Sequence, residues 1–158
     1  NFVSAHVDGL AELADAVAAF TPEVAATRAG VDPGIVRAAV GLSGPYDFLP
    51  FTGRAIDAMS AWPRPQETQP IAYARRDAPP MLLVTGSDDD LVRPKNARNL
   101  AARLKQLGAP VVLKEYAGQG HEDIVMALSR PFRGKAPVLD DSVAFLEARL
   151  AKPSAAAQ

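Results

Sequence analysis

The strongest constraint on this chain is a rhythm in which short unbroken apolar runs alternate with helix-patterned stretches. Ile35 to Leu42, Met81 to Thr85 and Val111 to Tyr116 are the apolar runs, each bounded by turn residues. Runs of roughly four to eight apolar residues read as strands buried on both faces, as in parallel sheets. Between the second and third runs, Pro94 opens a helix. Its Ala97, Leu100, Ala101, Leu104 and Leu107 form one stripe, and Gly108 stops it. Two later helices are expected over Asp123 to Ser129 and Asp140 to Ala151, the second carrying Val143, Leu146 and Leu150 inward. Ahead of the first strand, Leu10, Leu13, Ala14 and Val17 recur at helical spacing between Asp8 and Phe20. Thr21-Pro22-Glu23 then opens a shorter helix that ends near Gly30. Strands alternating with helices imply an α/β fold, a mostly parallel sheet with helices on both faces.

Such sheets carry their chemistry in loops beyond the C-terminal ends of the strands. That rule selects Ser87 to Arg93 after the second strand and Ala117 to Asp123 after the third. The first loop holds Asp88, Asp89 and Asp90, and the second reads Gly118-Gln119-Gly120-His121. An acid beside a histidine is the pairing a general base needs: the carboxylate selects the tautomer and stabilises the imidazolium. The glycines before His121 give its backbone freedom to bend.

Composition removes several other functions. Seventeen basic against eighteen acidic side chains leave a formal charge of -1, which offers nucleic acid and anionic membranes no electrostatic footprint. The chain has no cysteine, so thiolate zinc sites and a cysteine nucleophile are excluded. The three consecutive aspartates lack the alternate spacing and later glutamate of a calcium loop. No apolar run approaches the ~20 residues of a membrane-spanning helix. The N-terminus lacks a signal-peptide layout, so the expected compartment is the cytoplasm. Beginning at Asn1 in helix-ready sequence points to a fragment or a trimmed chain.

Gly86-x-x-Asp89-x-x-Val92-x-Pro94 after one strand, with Gly118-x-Gly120-His121 after the next, resembles the end of an α/β-hydrolase of the serine-esterase kind. Gly41-Leu42-Ser43-Gly44-Pro45-Tyr46-Asp47-Phe48 is similar to a segment of bacterial carboxylesterases, with arylformamidases as further relatives. Pro131-Phe132-Arg133-Gly134 adds to the likeness, which runs from about Gly30 to Leu150. It implies a partial α/β-hydrolase fold in a single portion spanning residues 1–158. Asp89 falls on the family's acid and His121 on its base, in the family's chain order. The resemblance implies hydrolysis of carboxylic esters through an acyl-enzyme and requires no cofactor and no metal. Pro45 to Pro80 would be a lid-like insertion, with Tyr46 to Trp62 shaping the pocket, and 153–158 a frayed tail.

The nucleophile is where the sequence departs from the family. No Gly-x-Ser-x-Gly occurs in it, and a Gly-rich oxyanion loop is missing as well. Ser43 has glycines at the wrong spacing and proline behind it. Ser4 precedes a helix, but Phe2 and His6 stand where the elbow needs glycine. Neither is assigned as catalytic, and the nucleophile segment is expected outside this chain. Two alternatives stay open: an inactive remnant acting by binding, and an arylformamidase-type amide hydrolase in the intact protein. An exposed sheet edge would also invite pairing with a second copy.

Overall fold

In a parallel sheet with helices on both faces, the middle strand has no wet side, and its residues must be apolar or small throughout. The computed structural model describes residues 37–59 and 63–150, and there the middle strand is β2, Met81–Gly86. It lies between β1 (Ala39–Leu42) and β3 (Val111–Tyr116), and both pairings are parallel. Ala39 pairs with Met81, and Met81 with Val111, so the three strands start level. At the far end Gly86 pairs with Tyr116. The loops after β2 and β3 therefore leave the same rim side by side.

The core follows the two-residue alternation of β2. Leu82 and Val84 pack on one face with Ile124, Ala127, Ala136 and Val138, while Leu83 packs on the other with Ala97, Leu100, Ala101, Leu104 and Ala109. Fully burying one such leucine contributes about 1.5–3 kcal/mol, so β2 anchors both layers. One layer is helix α2 (Lys95–Leu107), numbered after α1 (Arg54–Met59). The other is α3 (His121–Met126) with α4 (Val138–Leu150). Gly108 closes α2 at φ 78°, where its N–H bonds Lys105 O at 3.0 Å. That left-handed conformation suits glycine.

The crossover from β1 to β2 contains α1 and two 3₁₀ turns, Pro65–Thr68 and Pro70–Tyr73. It is tied down by buried amides. Asn96 Oδ1 accepts from Asp47 N at 2.7 Å, and Gln69 Oε1 accepts from Phe48 N at 2.7 Å. Tyr46 O takes the Ile71 N–H at 2.9 Å. Tyr46 itself turns inward, packing against the Leu83 cluster. A Cβ on Gly41 would lie 2.1 Å from its hydroxyl, and one on Gly44 would lie 2.4 Å from its ring. The two glycines thus make room for the tyrosine ring. Burial pushes the Tyr46 phenol upward, partly offset by the Gly44 backbone.

Three expectations shift. β1 begins at Ala39 within the described residues, and Ile35 and Val36 lie outside them. α3 starts at His121 rather than Asp123, because Asp123 caps the helix from its third position. The inward stripe of α4 is Val138, Ser142 and Phe145, and Val143 is exposed. Tyr46 is half-buried against the Leu83 cluster. Trp62, Ser4, the helices expected before Gly30 and the tail 153–158 lie outside the described residues. Among the described residues no helix is long and apolar enough to cross a membrane. Within the same residues β1 and β3 each pair along one edge only.

Candidate active site

Beyond Gly86 the chain turns tightly and delivers Asp89 into the interior, where it is 1% exposed. A buried carboxylate is costly unless its lone pairs are satisfied. Here they are. Oδ1 accepts from Leu91 N at 3.1 Å and Val92 N at 2.7 Å, and Oδ2 faces His121 Nδ1 at 2.9 Å. The backbone bonds are the local reason for the spacing: an aspartate folding over the next turn reaches the N–H groups two and three residues on. An ionised carboxylate only accepts, so beside it a neutral imidazole carries its proton on Nδ1 and leaves the Nε2 lone pair free. The His121 side chain is 29% exposed against 0% for Asp89, so the ring bridges interior and solvent.

The two loops meet because Gly86 has no side chain. A Cβ there would stand 2.0 Å from Gln119 O, inside any allowed contact. In its place Asp88 N donates to Gln119 O at 3.0 Å, and Ser87 N to Tyr116 O at 2.9 Å. Gly118 adopts φ 70°, which favours glycine, and its N–H donates to Ser87 Oγ at 2.8 Å. Gly120 has an ordinary φ of -86°, so the backbone freedom expected at both glycines is needed at 118 alone. Asp123 Oδ2 accepts from Gly120 N at 3.0 Å, and Ile124 anchors α3 in the core. Lys135 pairs with Asp123 and, ahead of the Gly120 N–H, holds that carboxyl below the usual carboxylate range.

Behind the rim, Tyr116 donates its hydroxyl to Asp141, which also meets Lys114 Nζ at 3.4 Å. Burial first, then Asp141, pushes the Tyr116 phenol well above its ordinary value. These contacts tie the first turn of α4 to β3. On the side of β3 that α2 covers, Arg98 grips Glu115 with two bonds of 2.8 and 2.5 Å, and that hydrogen bonding lowers the Glu115 pKa.

Beside the acid loop opens a cavity of about 640 Å³, walled by Pro45, Phe48, Ala55, Met59, Leu91 and Val92. Asp90 is the one charged residue on its described wall. Phe48 leans on Phe51 with ring centres 5.9 Å apart. Ser43 lies elsewhere in character. It is 4% exposed, sits at φ 44°, and its Oγ has no hydrogen-bond partner among the described residues. The structure therefore does not join Ser43 to His121. Among the described residues no cluster of His, Asp or Glu could hold a metal ion.

The sequence placed Asp89 and His121 in neighbouring loops, and the structure brings their side chains together. The same sequence motifs contain Gly86, Ser87 and Gln119 but gave no sign that these residues join the two loops.

A model of the prolyl oligopeptidase family matches residues 37–152. No curated protein matches the chain by sequence. Among solved structures, a truncated carbohydrate esterase from gut microbiota is similar, with a TM-score of 0.58 and 22% identity over 72% of this chain and 42% of its own. Esterase 2 of Thermogutta terrifontis, phosphorylated by paraoxon, matches with a TM-score of 0.56 and 20% identity over 73% of this chain and 42% of its own. The native form of a thermophilic esterase from the same planctomycete gives 0.53 and 17%, over 77% and 45%. The chain spans less than half the length of these structures, and the likeness shows an α/β-hydrolase-type fold.

Proposed function

The chain belongs to the prolyl oligopeptidase family, and from that premise we propose that it carries the acid and base of a serine hydrolase acting on carboxylic esters. Asp89 is the acid and His121 the base. The observation that carries the reading is the 2.9 Å contact between a fully buried Asp89 and His121 Nδ1, at the strand rim where such sheets do chemistry. Nε2 takes the proton of a serine hydroxyl as that oxygen attacks the ester carbonyl. Asp89 stabilises the imidazolium so formed, and His121 returns the proton to the leaving alcohol. Water then repeats the cycle on the acyl-enzyme.

The nucleophile comes from sequence ahead of β1, since the family order runs serine, acid, histidine and no elbow pentapeptide occurs in these 158 residues. The cavity beside Asp89 takes an apolar acyl group, because its described wall is mostly aliphatic and aromatic and the one charge among those residues is acidic. Phosphorylation of the Thermogutta esterase by paraoxon fits the same class of nucleophile.

A second reading, favoured by the family match itself, replaces esters with amides or peptides. Matched acyl p-nitrophenyl esters and p-nitroanilides separate the two. The main test is turnover and fluorophosphonate labelling by this chain and by the polypeptide read in frame from its upstream codons. Expected is activity in the longer polypeptide that falls at least ~10³-fold in His121→Ala. Activity indifferent to His121→Ala overturns the reading. Activity of the shorter chain that is lost in Ser4→Ala moves the nucleophile to Ser4.

A further inference from the structure

We propose that Ser87 is a positioning residue for the Asp89–His121 pair, an inference that rests on the reading of that pair as acid and base. The histidine loop has few ties to the acid loop. Two are backbone bonds, Ser87 N to Tyr116 O and Asp88 N to Gln119 O, at 2.9 and 3.0 Å. A third is the Asp89–His121 contact itself. The fourth is the Ser87 hydroxyl, which accepts from Gly118 N at 2.8 Å and donates to Asp88 Oδ1 at 2.5 Å.

The two roles fit one hydroxyl, which has one proton to give and lone pairs to receive. Donation to Asp88 orients the oxygen's lone pairs toward Gly118, and the negative acceptor strengthens the link. Gly118 is the residue at φ 70°, the bend that sets where the backbone of 119–121 goes. His121 is the first residue of a helix only six residues long, so an error in that bend passes directly to the imidazole. Gly86 keeps the loops from standing apart, and Ser87 fixes how they slide past each other.

Ser87 is exposed, so water can satisfy the Gly118 N–H once the hydroxyl is gone. A purely structural serine at this site would then have almost no effect. A positioning serine changes the His121 ring while leaving global stability alone.

The experiment is imidazole NMR on the ¹⁵N-labelled 158-residue chain, with His121→Ala separating its signals from those of His6. The Nδ1–H resonance, its exchange with water and the ring ¹⁵N pattern report the bond and the tautomer. In Ser87→Ala the Nδ1–H should exchange roughly fivefold faster, the factor one net hydrogen bond is worth, with an unchanged urea midpoint. Ser87→Thr should restore the wild-type rate. Asp89→Asn separates the two failures. Wild-type-like Nδ1–H signals in Asp89→Asn, or none in the wild type, sink the acid–base pair itself. A signal lost in Asp89→Asn but unchanged in Ser87→Ala sinks the positioning role alone. The role also fails if Ser87→Ala lowers the urea midpoint and exchange protection together.

Discussion

The acid loop and the histidine loop leave the same rim of the sheet, yet they are built on opposite principles. Asp89 is buried and held by three contacts, two of them from its own turn. His121 is partly exposed and stands on a short helix whose position depends on its neighbour loop. A buried charge must be fixed, because every unsatisfied lone pair costs free energy in a low dielectric. A base that meets substrate must keep one nitrogen open. Asp89 is therefore determined locally, while His121 is placed by contact with a different loop.

The comparison breaks most severely at Asp89. In Asp89→Asn the amide keeps an oxygen for Leu91 and Val92 but turns an N–H toward His121. The ring then presents the wrong tautomer, and kcat of the intact hydrolase should fall about 10⁴-fold with its urea stability little changed. A loss below tenfold in a stopped assay would show that the base does not depend on this acid.

Gly86→Ala attacks the contact between the loops instead. Its Cβ would meet Gln119 O at 2.0 Å, so backbone must move. We expect about 1–3 kcal/mol of destabilisation by urea titration, together with loss of the His121 Nδ1–H signal. An alanine protein as stable as wild type would mean that the loops do not press on each other.

Asn96→Ala loosens the other side of the acid loop. The Asp47 N–H loses its acceptor, at about 1–2 kcal/mol, while the Arg93 carbonyl keeps the backbone N–H of residue 96. The expected signature is weaker binding of apolar acyl groups, with the Asp89–His121 signals intact. A change in those signals would tie the crossover to the catalytic pair rather than to the cavity.

The smallest effect concerns pH. The Asp123 pKa is lowered in the folded protein, chiefly by Lys135. A depressed folded pKa contributes stability above the unfolded value, and the contribution disappears as pH falls through the folded one. The stability difference between wild type and Asp123→Asn should therefore shrink below about pH 4. Added salt should weaken it at neutral pH, since the pair is exposed. A difference that grows on acidification would reverse the assignment.

Much of the fold was legible because burial on both faces leaves a pattern. Leu82, Leu83 and Val84 form a short unbroken apolar run closed by Gly86, which reads as a buried strand, and the structure puts it in the middle of the sheet. The stripe of α2 was equally readable, down to Gly108. The stripe of α4 was not, because Val143 and Phe145 are both apolar and only packing against β2 decides which faces inward. The start of α3 was misplaced because Asp123 acts as a cap on residues before it, a role that depends on the loop's path.

Alone, the sequence indicated a parallel sheet by its periodicity and, by chain order, two loops at one rim that hold three consecutive aspartates and a histidine, while the choice of Asp89 among the aspartates came from the family resemblance. Tertiary structure alone decided that Gly86 lets the two loops touch, that Tyr46 packs against the Leu83 cluster, and which nitrogen of His121 faces Asp89. Those depend on contacts between segments about thirty residues apart or more, where through-space distance and not spacing along the chain sets the interaction.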